Sequence, residues 1–372
     1  MTKNVGIRAL AVNFPRGLRT NQYWKNHHPE ILEAVETRKK NRMWAAPEKE
    51  SEPSPADGFD AEMAQYLQDP FRGTVERRVL TPGESSLTLE LGAAKKAIAA
   101  AGLQPSDIDV MMVSSFLPDQ FGCMNAPYLA RDLGLTGLAF NLESACSSAM
   151  IGLHTACAFV QSGQYETALV VASCAYSRDT DTRDTISWTV GDGVSAYVVS
   201  EVEPGYGRLG GKAVHTGETC GALWFENYVR EDASLWFRLV GTPQAGKLLR
   251  DTSVGHLLTC CNGALEDAGL SLGDIDHFVF NTPVAWYSKF CARTLGIPAD
   301  KPVINMYPKY GNMGPNLLGA NLYHAAREFG IEKGDRILMY TVGSISSAGA
   351  MVLRWGDVAL GPPPEPHSVV CD

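Results

Sequence analysis

The chain has 372 residues, 45% of them hydrophobic and 20% charged, a make-up that supports a sizeable core and has room for two fused half-domains. A formal net charge of −9 argues against a phosphate-coated partner such as nucleic acid; the nearest approaches to a basic cluster, Arg38-Lys39-Lys40 and Arg77-Arg78, read as solvated charge. The first residues, MTKNVGIRALAVNFPRG, carry no long apolar stretch, and no run of about 18 apolar residues could span a bilayer, so a cytoplasmic protein off the membrane is expected. Nine cysteines without C-x-x-C spacing suggest neither a metal site nor a disulfide framework; most should be small buried hydrophobes.

In chain order, the first irregular stretch runs from about residue 40 to 70, where PEKESEPSPADGFD is too rich in Pro, Glu and Ser to bury much surface and reads as an inserted loop or flap. A helix follows (LGAAKKAIAAAGL), then an apolar strand (DVMMVSSF), a helix from Ser147 to about Gln161, and another apolar strand (TALVVAS). The pattern then returns as VGHLLTCCNGALEDAGL, HFVFNTP, a helix from Pro315 to about Phe329, and RILMYTV. The two copies are related by a constant shift of 167 residues, which carries Gly102 onto Gly269, Gly152 onto Gly319 and Gly163 onto Gly330. Alternating strand and helix predicts an α/β fold with mostly parallel, helix-flanked sheets, in two duplicated halves around a shared cleft. The halves divide as residues 1–205 and 206–358, and the remaining 359–372, with GPPPEPHSVVCD, reads as a flexible tail.

The strongest chemical signal is Asn141-Leu142-Glu143-Ser144-Ala145-Cys146-Ser147-Ser148-Ala149, which places Cys146 between an apolar strand and a helix start. Unpaired N–H groups and the positive end of the helix dipole there should favour a thiolate. Taken alone, a cysteine among small residues reads as packing. Its company says otherwise: the repeat matches Ala145 with Asn312 in Lys309-Tyr310-Gly311-Asn312-Met313-Gly314-Pro315, so both motifs open corresponding helices, and Asn281 ends the second copy's first strand. A thiol facing two amides suits thioester chemistry, because amide N–H donors can stabilise an oxyanion or enolate; singly, Asn281 and Asn312 would read as turn or cap residues.

With its two halves, SACSSAMIGLHTA, GDGVSAYVVSE and KYGNMGPN, the chain resembles the ketoacyl-ACP synthase III branch of the thiolase superfamily from about Val5 to Trp355. The resemblance implies a thiolase-like fold with five-stranded sheets in an α-β-α-β-α arrangement, a homodimer, and acyl-CoA or acyl-carrier-protein thioesters as substrates, with no cofactor or metal. It also implies a Cys-His-Asn triad. Cys146 matches the nucleophile and Asn312 the asparagine, but the histidine position holds Asn281, and His277 lies four residues too early. An asparagine can donate to an oxygen but cannot take a proton, so Asn281 is assigned a polarising role and the second half-reaction is expected to differ from ordinary malonyl condensation.

Phe121 matches a residue that the family presents across the dimer interface into the partner's tunnel. Phe121, His215, Thr282 and Gly343 are the expected substrate-contacting residues; His154, His256 and His324, within helices, read as packing or surface. The Trp and Arg with which the family clamps coenzyme A have no clear counterpart, which favours a carrier-protein or non-nucleotide donor. The expected function is an acyltransferase that loads Cys146 and passes the acyl group to a small-molecule acceptor, in a specialised secondary-metabolite or fatty-acid-derived pathway. Decarboxylative malonyl condensation and a non-catalytic partner in a heterodimer are the alternatives.

Overall fold

The structure is a computed structural model that describes residues 3–38, 57–229, 233 and 235–372. Two large sheets carry the two copies. The first holds β1 (Val5–Asn13), β4 (Val110–Phe116), β5 (Leu138–Asn141), β6 (Thr167–Ala175) and β7 (Asp192–Glu201), with β15 (Ala359–Leu360) at its edge, in the order β15-β1-β7-β6-β4-β5. The second holds β8 (Gly207–His215), β11 (His277–Phe280), β12 (Val303–Ile304), β13 (Arg336–Val342) and β14 (Ser347–Arg354), in the order β12-β11-β13-β14-β8. Taken from β5 and from β12, the two share one plan: three parallel strands, then two antiparallel ones.

The helices explain why the parallel strands read as continuous apolar runs. Ser148–Gln161 and Asn316–Glu328 lie between the two sheets, while Ser86–Ala100 covers the outer face of the first and Ala245–Ala268 that of the second, giving five layers. With both faces covered, every residue of β6 is buried, and an alternating pattern would leave polar groups unsolvated. Gly102 and Gly269 follow corresponding helices, with φ of 68° and 66°, a left-handed conformation that costs glycine little.

Four expectations change in the fold. The first sheet has six strands, because β15 from the supposed tail pairs with β1. Further on, β16 (Val369–Val370) joins β2 (Gly17–Thr20), which in turn pairs with β3 (Glu76–Val79), and the Asp372 carboxylate accepts the Thr20 N–H at 2.7 Å. The tail therefore docks through backbone pairing, which needs no apolar side chains. In the inserted stretch, residues 39–56 lie outside the described residues, but Asp57–Ala64 is a helix whose Phe59 and Met63 are each 2% exposed, Phe59 standing edge-on to Phe290 at 5.2 Å. The Pro-rich composition ends just before these apolar residues. Finally, Arg77 and Arg78 are buried rather than solvated: Arg77 donates to Asn21 Oδ1 at 2.9 Å and to the Trp188 carbonyl, and stacks 4.4 Å over the Trp24 ring. No helix among the described residues is long and apolar enough to cross a membrane.

Asp192, at the start of β7, is fully buried and accepts the N–H groups of Leu80 at 2.9 Å and Ser177 at 2.8 Å, tying the approach to the first sheet to the turn after β6. Asp192→Ala leaves the Ser177 N–H and hydroxyl without their acceptor, while the Leu80 N–H keeps Ser177 Oγ at 3.0 Å, and is expected to cost about 1–3 kcal/mol, read as a lower urea midpoint.

Candidate active site

Cys146 sits on a turn that the local sequence holds in a strained shape. After β5, the Glu143 carboxylate accepts the Ser115 N–H at 2.8 Å and the Ser114 hydroxyl at 3.0 Å, fixing the chain against β4. Ala145 then takes φ of 49°, a left-handed conformation unusual for a residue with a Cβ and worth about 1–3 kcal/mol of strain. Ser148 holds this bend, accepting the Ser144 N–H at 2.7 Å and donating to the Ala145 carbonyl at 2.8 Å. Residues 145–147 form one 3₁₀ turn, and the helix begins at Ser148.

The second half secures the same turn. Asn281 Nδ2 and Thr341 Oγ1 each donate to the Cys146 carbonyl at 3.1 Å. Hydroxyls of Ser144 and Ser147 each lie 2.5 Å from Ser347 Oγ, and Ser144 Oγ also meets Ser346 Oγ at 3.0 Å. Gly343, whose N–H donates to Ser347 O, packs so closely that a Cβ there would stand 2.6 Å from Ser147 Oγ and 2.7 Å from Ser144 O.

Asn281 is thus brought to Cys146, but not as expected. Its side chain is fully buried, and its donors serve the Cys146 carbonyl, Thr341 Oγ1 and, at 3.4 Å, the Gly314 carbonyl instead of the cleft. The missing histidine is not replaced from the same strand: His277, at its far end, pairs with Asp335 at 3.0 Å. Asn312 does face the cavity. Its backbone N–H donates to Thr189 O and its carbonyl accepts from Gly191, while its Oδ1 takes the Gly314 N–H at 2.8 Å, leaving Nδ2 to serve a ligand.

Cys146 opens into a cavity of about 1130 Å³ of empty space, partly continuous with solvent. Phe116, Tyr176, Ile186, Phe225, Val284 and Trp286 supply apolar and aromatic surface to the wall, which Asn312 and Gly343 share with the thiol. The hairpin of β9 (Leu223–Val229) and β10 (Leu235–Gly241) supplies Leu223, Phe225 and Leu239. Thr282, Phe121 and His215 are not among the lining residues: Thr282 is buried and accepts from Asn321 at 3.3 Å, Phe121 is 58% exposed, and exposed His215 accepts the Gly217 N–H at 3.1 Å. Phe59 comes to the wall from within the inserted stretch and Arg72 from just after it, where nothing in the sequence marks them. The long helix contributes Leu249, Thr252, Ser253 and His256, and here a signal existed, since their spacing of three and four residues puts them on one helical face. Among the described residues no group of three or more His, Cys, Asp or Glu is placed to hold a metal ion.

The helix terminus does not control the thiol's ionisation. Cys146 keeps a partly exposed surface toward the cavity, but the protein around it excludes bulk water, and burial pushes the thiol up from 9 to about 11, its own backbone N–H opposing this only in part. The expected thiolate is therefore corrected to a resting thiol: at the 3₁₀ turn, desolvation outweighs the dipole.

Residues 140–217 match the family model for 3-oxoacyl-[acyl-carrier-protein] synthase III, and residues 265–355 match its C-terminal counterpart. The β-ketoacyl-[acyl-carrier-protein] synthase III of Brucella abortus is 29% identical over 287 residues, covering 76% of this chain and 88% of that one. The priming β-ketosynthase of the R1128 polyketide pathway superposes with a TM-score of 0.76 at 22% identity, covering 96% of this chain and 97% of that one. Xanthomonas campestris OleA, solved with bound lauric acid and lauroyl-CoA, gives 0.73 at 18%, covering 95% and 100%.

Over those two stretches, and in its fold, the chain is similar to thiolase-like proteins of the ketoacyl synthase III type.

Two outcomes follow for this synthase III-type site. Because the thiol form dominates below about pH 11, iodoacetamide labelling of Cys146 should rise about tenfold per pH unit from 7 to 10, measured on its peptide by mass spectrometry; a plateau below pH 9 would contradict it. Gly343→Ala should push the Ser144–Ser147 turn out of place, costing about 1–3 kcal/mol, read as a lower urea midpoint, and changing the rate of Cys146 labelling by iodoacetamide at a given pH.

Proposed function

We propose that this synthase III-type enzyme takes an acyl group from a carrier-protein or coenzyme A thioester onto Cys146 and passes it to a second substrate in a specialised biosynthetic pathway. The observation that carries this reading is the placement of Cys146, on a strained turn held by both halves, at an apolar cavity that it shares with the Asn312 amide. In the loading step the sulfur attacks the donor carbonyl, the donor's C–S bond breaks, and the Cys146 proton leaves with the donor thiol. The Asn312 Nδ2 and the Cys146 N–H are the donors available to the developing oxyanion.

The cavity's apolar wall suits an acyl chain, in keeping with the lauric acid and lauroyl-CoA bound by the OleA neighbour. The pathway assignment draws on the R1128 neighbour, which primes polyketide synthesis, and the carrier-protein donor on the Brucella relative, which is named for that partner. A homodimer is part of the proposal, with exposed Phe121 as the residue offered to the partner's tunnel. Asn281 acts as a positioning residue for the nucleophile's backbone. That commitment weighs against decarboxylative malonyl condensation, which without a histidine would need both amides on the enolate.

The test is intact mass after incubation with decanoyl-CoA and with decanoyl carrier protein. A gain of one decanoyl group in the native chain, absent from Cys146→Ala, is expected; no gain, or an equal gain in the variant, would refute the proposal.

A further inference from the structure

The geometry points to Glu218 and His256 as the proton-transfer pair of the second half-reaction, His256 being the general base toward a hydroxyl- or amine-bearing acyl acceptor. This rests on Cys146 as the acyl carrier, and extends that reading by naming the acceptor's chemistry.

The site lacks a base where its relatives' pattern puts one: position 281 holds an amide whose donors are spent inside the protein. His154, His277 and His324 are also committed elsewhere, to the Ala350 carbonyl, to Asp335, and to Tyr310 with Glu328. His256 differs from these in lining the cavity that holds Cys146 and Asn312. It is 7% exposed, and its Nε2 lies 2.7 Å from Glu218 Oε1. A carboxylate can only accept, so Nε2 carries the hydrogen, and in the neutral ring Nδ1 is the lone-pair nitrogen left for a ligand. The Glu218 carboxyl is held below its ordinary range, first by its own backbone N–H and then by His256, which keeps it an acceptor; His215 adds a smaller pull.

The pair is also tied to the nucleophile through one shared loop. The turn bearing Glu218 is anchored to residues 343–347 by the Thr216 N–H on Ser346 O at 2.9 Å and by the Cys220 thiol on Ile345 O at 3.3 Å. Ser346 and Ser347 of that loop bond Ser144 on the nucleophile's turn. An imidazole oriented by a carboxylate, on the wall of the cavity that holds the thiol and tied to the thiol's turn through one loop, has the position and tautomer that a base toward an acceptor bound in that cavity needs.

In the step assigned here, the acceptor's O–H or N–H proton passes to His256 Nδ1 as its heteroatom bonds to the acyl carbon on Cys146. The tetrahedral intermediate collapses by breaking the C–S bond, and the departing sulfur takes the proton back from the imidazolium. An ester or amide leaves, and the thiol is restored. Malonyl condensation, whose carbanion comes from loss of CO₂, has no proton for this pair to remove.

The experiment loads Cys146 from decanoyl-CoA and follows discharge of the adduct by intact mass, with n-butanol as the hydroxyl probe and hydroxylamine as a nucleophile that attacks thioesters without a base. His256→Gln should still acquire an adduct but discharge it to n-butanol at least about 10²-fold more slowly than the native chain, and Glu218→Gln about tenfold more slowly. Hydroxylamine should discharge all three at similar rates, and added imidazole should recover part of the n-butanol reaction in His256→Gly. Glu218 is exposed, so its variant decides the matter even if the His256 variants do not fold. Native-rate discharge by Glu218→Gln, or a native adduct that both n-butanol and water leave intact, overturns this inference alone; a native chain that forms no adduct overturns the Cys146 reading and this inference with it.

Discussion

The Cys146 carbonyl is gripped from the opposite half of the molecule, by the Asn281 amide and the Thr341 hydroxyl, and most of the site's geometry depends on that grip. The turn it fixes contains a left-handed alanine, which an isolated peptide would relax. Bonds from both halves outweigh the strain, and the thiol is thereby held at a junction where neither half alone could keep it. The serine hydroxyls of residues 144, 147, 346 and 347, and a glycine that lets residue 343 approach without a side chain, complete the joint.

That placement has an electrostatic consequence. A sulfur enclosed by protein on the wall of an apolar cavity loses much of the water that would stabilise its charge, and the thiol is favoured. For the proposed acyl transfer, proton movement rather than standing nucleophilicity becomes the chemical problem of both half-reactions. In loading, the donor's departing thiolate can take the Cys146 proton. In transfer, a neutral acceptor has no such outlet, and this is where a carboxylate-oriented imidazole on the cavity wall gains its importance.

The inserted stretch and the C-terminal residues show how composition misleads about packing. PEKESEPSPADGFD averages out as a solvated flap, yet its last residues begin a helix whose Phe59 reaches the core and the cavity wall. The final residues are polar and Pro-rich, and dock because strand pairing uses backbone groups that every residue except proline carries in full. Arg77 reads as surface charge for the same reason: its carbonyl and aromatic partners come from Asn21, Trp24 and Trp188, far away in sequence.

By itself the sequence determined the duplicated α/β plan, since a 167-residue shift, apolar strand runs and helix-ending glycines are all local or periodic signals. It also singled out Cys146 and Asn312, which lie at helix starts that the repeat superimposes. Only the tertiary structure decided which way side chains point and what they meet. Asn281 ends its strand as expected yet turns its amide into the protein, and His256 sits on a helix like His154 and His324 yet is the one of these three that reaches the cavity. Orientation and solvation depend on neighbours brought from distant segments, such as Thr341 beside Asn281 and Glu218 beside His256, and no spacing rule along the chain encodes those meetings.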